Sequence, residues 1–253
     1  MGFIMIKSIS RTLTLAKRNL LEIVRDPLSL IFTLAMPLAM EALFYLLFHG
    51  KTSQFEMKYL APGIVGFSQA FLSLFTGILI ALDRSTSFLT RLYVSKARSR
   101  EFIFSYALAI LPLSLAQSIL FFLVGGIFDV SIFCPQMAAA IAFSLITSLF
   151  YIAVGILLGS VCNEKSIGGV SSVVIAGQSI LSGMWFPVEG LNEGFITAMN
   201  VLPFKNVTLV LQNSLLDVYT FEDFFLPLII VAAYSIVVFS LAILFFKKNM
   251  RSK

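Results

Sequence analysis

Charge is scarce in this sequence. Acidic and basic residues fill only 12% of 253 positions, about half the share of a soluble globular domain, so the chain lacks the polar surface that solubility in water requires. Histidine occurs once, as His49, and cysteine twice, as Cys134 and Cys162. No cluster of these residues stands at metal-ligand spacing, which excludes a zinc or di-metal enzyme, and no metal ligand is assigned. An intramembrane serine protease would need a histidine beside its serine, but Ser68 and Ser182 have only His49, at a helix end, so no catalytic residue is assigned. A complete phosphate-binding loop is missing as well. Gly50-Lys51-Thr52 match its tail, yet Tyr45 stands where its first glycine belongs, and an apolar run rather than a strand precedes it. No cofactor is therefore expected on this chain. The first long apolar run has no small-residue cleavage signature behind it, so no removable signal peptide is expected. Fixed-period repeats and low-complexity linkers are absent, which predicts a single transmembrane domain over residues 1–253.

What the sequence does have is apolar length, with 58% hydrophobic residues. Six stretches stand out, at 28–48, 60–82, 102–127, 136–160, 167–185 and 224–246, each near the roughly 20 residues that cross a bilayer. In hydrocarbon every backbone amide must find a partner within its own segment, so these stretches predict an all-α integral membrane fold of six transmembrane helices. Pro37 and Pro112 should kink their helices without breaking them. Fifteen of the 18 Lys and Arg residues precede the first stretch, follow the last, or fall between the second and third or the fourth and fifth; only Lys51, Lys58 and Lys205 lie on the other side. The positive-inside bias then puts both termini in the cytoplasm of a multi-pass protein in the plasma or inner membrane. It also places Gly50-Lys51-Thr52 outside, away from ATP, and the two cysteines on opposite sides, unable to pair. The formal charge of +5 is explained by these flanking clusters, so nucleic acid is not an expected partner.

Between the crossings lie other patterns. Ile6, Ile9, Leu13, Ala16, Leu20 and Ile23 recur at steps of three and four with basic and hydroxyl residues between them, which predicts an N-terminal amphipathic interfacial helix over 1–26. The alternative is that this stripe packs on other helices. Asp26 and Pro27 suit the N-cap and first helical position of the next helix. The cytoplasmic loop 83–101 has its own helical period in Phe88, Leu89, Leu92 and Tyr93, large apolar residues outside the bilayer that call for a protein partner. After the fifth stretch, 195–202 and 207–216 are apolar but too short to cross, which predicts external re-entrant or interfacial helices. Asn206, Val207 and Thr208 form a glycosylation sequon to which no role is assigned. Glu41 is an intramembrane charge, which calls for a partner, a cavity, the nearby interface or a proton. Gly155 and Gly159, and Gly169, Ser172, Ala176 and Gly183, form small-residue faces that predict close helix packing within the subunit or a seam between two copies.

Taken in order, these segments resemble the ABC-2 type exporter permeases over nearly the whole chain. The most specific part runs Ala16-Lys17-Arg18-Asn19-Leu20-Leu21-Glu22-Ile23-Val24-Arg25-Asp26-Pro27 and on to Pro37, like that family's surface helix turning into its first span. Phe88-Leu89-Thr90-Arg91-Leu92 resembles its coupling segment, although the usual glycine and proline are replaced in the region of Ser85 to Ser87 and Lys96 to Arg98. Leu181-Ser182-Gly183-Met184-Trp185-Phe186-Pro187 and Leu202-Pro203-Phe204 resemble its external hairpin. The resemblance implies a permease, not itself an enzyme, that pairs with a second copy or a related permease among membrane lipids and docks on an ABC ATPase subunit holding ATP and Mg. It implies ATPase contact through a coupling helix with Phe88, Leu89, Arg91 and Leu92, and a substrate path lined by Phe67, Phe71, Phe75, Gln178 and Ser179. Amphipathic or lipophilic cargo (a drug, lipid or peptide) is favoured over polysaccharide or glycolipid. A secondary carrier needing no ATPase is the alternative, opposed by the single buried carboxylate and the absence of paired broken helices.

Overall fold

The computed structural model describes residues 2–86, 99–186, 188 and 190–251. Among them every regular element is helical, as an apolar chain without alternating strand patterns requires. Nine helices follow in order: α1 (Gly2–Val24), α2 (Pro27–Phe48), α3 (Met57–Ser85), α4 (Ser99–Phe128), α5 (Gln136–Val161), α6 (Glu164–Leu181), α7 (Glu193–Val201), α8 (Pro203–Leu215) and α9 (Leu226–Arg251). Single tight turns at Ser53–Phe55 and Val130–Ile132 connect some of them. Among the described residues four stretches are long and apolar enough to cross a membrane: Met57–Ser85, Glu101–Phe128, Gln136–Val161 and Phe221–Lys248. A fifth is counted if α7 and α8, bent by 71°, form one broken span. The apolar part of α2, Thr33–Phe48, is shorter, and α6 is diluted by Glu164, Lys165, its serines and Gln178.

Helix α3 is the axis of the bundle. Of its apolar window 83% is buried, against 17% for the last long helix, so α3 is surrounded by protein while α9 keeps most of its surface for lipid. Glycines on α5 allow the closest approach to α3. A β-carbon on Gly155 would stand 2.6 Å from the Ser73 carbonyl oxygen, and one on Gly159 2.8 Å from that of Gly77. This small-residue face therefore packs within one subunit. The second stripe divides: among the described residues a β-carbon on Gly168 or Gly169 would meet nothing within 4 Å, and Ser172 and Ala176 are exposed, whereas one on Gly183 would stand 3.1 Å from Met199 Cε.

The local signals explain the helix ends. Pro27 opens α2, with the Leu30 amide donating to the Asp26 carbonyl at 3.2 Å. Asn163 and Ser166 cap α6 reciprocally. Gly183, at φ 71°, turns the chain after α6 in a conformation that only glycine adopts without strain, which leaves Trp185 beyond the helix. Cys134 and Cys162 flank the two ends of α5, about 39 Å apart along a 26-residue helix, far outside disulfide reach.

The amphipathic stripe of α1 divides between two environments. Ala16, Asn19 and Ile23 are buried against α4, whereas Ile9 and Leu13 remain exposed. Helix α8 lies deep in the bundle: Val207, Val210 and Leu211 are fully buried, and Gln212 Nε2 donates to the Tyr59 carbonyl at 2.9 Å. Asn206 of the sequon is buried as well, its amide donating to the carbonyls of Asn200 at 2.9 Å and Leu202 at 2.7 Å. Its side chain closes the α7–α8 bend and is not free for a glycan.

Candidate functional site

The Lys- and Arg-rich end of the bundle carries a clasp built from α1, α3 and α4. Arg11 and Arg18 are two turns apart on α1, about 10 Å along the axis, and each meets an acidic residue on a different helix. Arg18 grips Asp83 with two hydrogen bonds, from Nη1 to Oδ2 at 2.6 Å and from Nη2 to Oδ1 at 2.8 Å. This planar fork is the strongest geometry an arginine makes with a carboxylate. Tyr106 of α4 donates its hydroxyl to the same Asp83 Oδ2 at 2.7 Å. Asn19 adds a weaker bond to Ser105 Oγ at 3.4 Å. Toward the start of α1, Ser8 donates to Glu101 Oε1, and Arg11 Nη2 reaches that oxygen at 3.3 Å.

Burial gives the clasp its weight. Asp83 and Glu101 are 2% and 3% exposed, so each carboxylate depends on these donors in place of water. Partial burial works against the Arg18 charge, and the bonds and charge of Asp83, helped by Glu22, outweigh it and hold the guanidinium above its ordinary range. Partial burial pushes the Glu22 carboxyl up, Arg18 at 2.7 Å pulls it down, and Asp83 pushes it up again. Arg84, next to Asp83, donates to the Gly159 carbonyl at 2.7 Å and the Cys162 carbonyl at 3.0 Å. It thereby ties the foot of α3 to the C-terminal end of α5, where unpaired carbonyls favour a cation. Beside Glu101, a groove of about 340 Å³ runs between α1 and α4, walled by Ile9, Leu13, Phe104 and Leu108.

Asp83 and Glu101 occupy the two stems of one segment. Asp83 closes α3, Glu101 opens α4, and residues 87–98 join them. The expected coupling residues Phe88, Leu89, Arg91 and Leu92 lie on that segment, outside the described residues. A family model described as ABC-2 type transporter matches residues 10–216, from the first turns of α1 to the end of α8. The chain belongs to the ABC-2 type transporter family. No match is found among curated proteins.

The family is a permease component and not the ATPase itself, so this ABC-2 chain is a multi-pass membrane protein of a transport system. The residues expected along its substrate path fall into three places. Phe67 is buried and meets Phe71 edge-on at 5.4 Å and Trp185 at 5.9 Å. Trp185 also packs on Phe44 at 4.3 Å and donates its indole N–H to Ser179 Oγ at 3.0 Å, which joins Ser179 to the same aromatic group. Gln178 is fully buried between α3, α5 and α8, where Tyr151 donates to its Oε1 and its Nε2 donates to Thr208 Oγ1 at 3.2 Å. Phe75 stands apart, in the apolar cluster of the clasp end. Glu41 is fully buried.

Sequence reasoning missed Asp83 and Glu101. The available signal was their sign: two acids at the feet of helices on the side where basic residues collect, facing two arginines spaced for one helix face.

Proposed function

We propose that this ABC-2 permease is the membrane subunit of an ATP-binding-cassette exporter in the plasma or inner membrane. Six crossings, with α2 and α6 completing the long apolar helices, put both termini in the cytoplasm, in keeping with the distribution of Lys and Arg. The subunit pairs with a second copy or a related permease, and separate ATPase subunits drive it. The observation that carries this reading is the double attachment of α1 to the stems of segment 87–98, through Arg18 and Asp83 and through Ser8, Arg11 and Glu101. A motor pushing on Phe88, Leu89, Arg91 and Leu92 would load both stems, and α1 would move with them. Arg84 would carry the same displacement to α5. Closure of the ATPases on ATP thus acts as a lever on a two-state bundle.

Amphipathic or lipophilic cargo suits the aromatic group of Phe44, Phe67, Phe71 and Trp185, because such rings offer large apolar faces. Replacing Phe88 and Leu92 together with aspartate is expected to abolish both co-purification of the ATPase and transport while leaving membrane insertion intact. Undiminished co-purification would reject the docking role.

A further inference from the structure

Helix α2 sits at the margin of the bundle and turns a narrow stripe toward it. Thr33, Pro37 and Glu41, at four-residue steps, are its buried positions among the described residues, while Ile31, Met36, Leu43, Leu46 and Leu47 face outward. That stripe therefore carries an acid inward. Neither oxygen of Glu41 has a hydrogen-bond partner among the described residues.

Its pocket is closed and apolar. A β-carbon on Gly125 of α4 would lie 3.0 Å from Glu41 Oε1, 3.1 Å from the Ala61 β-carbon and 3.4 Å from Met57 Cγ. Gly125 thus makes room for the carboxyl, and α3 and α4 shut it in. No charged side chain faces it from either helix among the described residues. Lys58 is exposed on α3, and Asp129, beyond the end of α4, is bonded to the Ser131 amide. On α2 itself, Tyr45 gives its hydroxyl to the Phe128 carbonyl at 3.3 Å, and His49 stacks on Tyr45 a turn farther out.

This geometry selects the ligand. A metal ion would need several more oxygens than one carboxyl supplies, and an organic cation would need space that Gly125, Ala61 and Met57 take up. A proton needs one oxygen and no space. A bare carboxylate without donors is costly in such surroundings, the neutral acid far less so. We propose that Glu41 binds a proton in this packed state and that its release frees α2 from α3 and α4, so that the position of α2 follows pH. Pro37, one turn away and without an amide hydrogen, supplies the point at which α2 can bend. The sign follows directly: packing binds the proton, so α2 is held at low pH and released as pH rises. This adds a proton site to the permease reading and does not depend on the ATPase.

The test uses the full chain in lipid vesicles and infrared difference spectroscopy, which reads the carbonyl stretch of a protonated carboxyl without entry to its pocket. The difference between wild type and Glu41→Gln is expected to show one such band at low pH, with an intensity that falls about tenfold per pH unit beyond its midpoint. Hydrogen exchange in α2 is then compared with that of Glu41→Gln, which keeps the shape and cannot ionise. Wild type is expected to gain exchange over the variant as pH rises. The absence of that band at every pH, or an intensity indifferent to pH, overturns the proton site. A titrating band with equal exchange in the two proteins overturns the release of α2. Neither result bears on ATPase docking, which the aspartate substitutions at Phe88 and Leu92 decide separately.

Discussion

Arg18 and Asp83 meet through two hydrogen bonds, of 2.6 and 2.8 Å, that join the first helix to the foot of the central one. Removing either partner strands a charge, and the buried one is Asp83. Arg18→Ala is expected to cost about 2 to 4 kcal/mol, below the value for a wholly buried pair because the guanidinium is about one-third exposed. Asp83→Asn keeps an acceptor for Tyr106 and should cost less. Thermal unfolding in detergent measures both. In a double-mutant cycle with Tyr106→Phe, Asp83→Asn should show coupling, since the three groups share one oxygen. Purely additive losses would argue against a cooperative clasp.

The two glycine faces should answer differently to the same change. Gly155→Ala places a methyl 2.6 Å from the Ser73 carbonyl and is expected to lose about 1 to 3 kcal/mol through helix displacement. Gly168→Ala and Gly169→Ala enter open space, and in a solitary chain each should gain up to about 1 kcal/mol from helix propensity. If a second permease covers α6, that gain disappears in the assembled state. Unfolding compared between monomeric and paired fractions reads the difference.

Gln178→Leu removes the acceptor of a buried tyrosine and the donor to Thr208. The expected loss is about 1 to 3 kcal/mol. Ser179→Ala releases only the indole N–H of Trp185, which is half-buried, and should be milder. If these side chains border the cargo path, Gln178→Leu should also shift the relative transport of polar and apolar cargo. A stability loss with unchanged cargo preference would assign Gln178 to packing alone.

Asp129 offers a test in acid. Its side chain accepts from the Ser131 amide at 2.9 Å and caps the turn Val130–Ile132. That bond to the backbone is the largest influence holding the carboxyl below its ordinary range. The capping contribution is then complete above the unfolded carboxyl value of about 3.9 and is lost as pH falls through the lower folded one. Asp129→Ala should speed amide exchange at Ser131 and Ile132 near neutrality, with the difference from wild type vanishing in strong acid. A difference that persists in strong acid would separate the turn from this charge.

Much of the architecture was legible because its causes are local. Pro27 and Pro203 each open a helix. Gly155 and Gly159 also read correctly as a packing face. The surface stripe of α1 was legible as a stripe, but its division was not. Nothing in the spacing says that Ala16 and Ile23 find α4 while Ile9 and Leu13 stay uncovered. The burial of α8 was hidden for the same reason, since segment length says nothing of which helices a short piece packs against.

By itself the sequence determined that this chain is helical and belongs in a membrane, because scarce charge and long apolar runs permit no other way to satisfy the backbone. It also determined where the basic clusters sit. Only the tertiary structure decided which acids those arginines meet, and that Glu41 is enclosed beside Gly125 with no donor among the described residues. The reason is physical: hydrophobic length acts along the chain, whereas a salt bridge or an orphaned carboxyl depends on which distant helix arrives beside it.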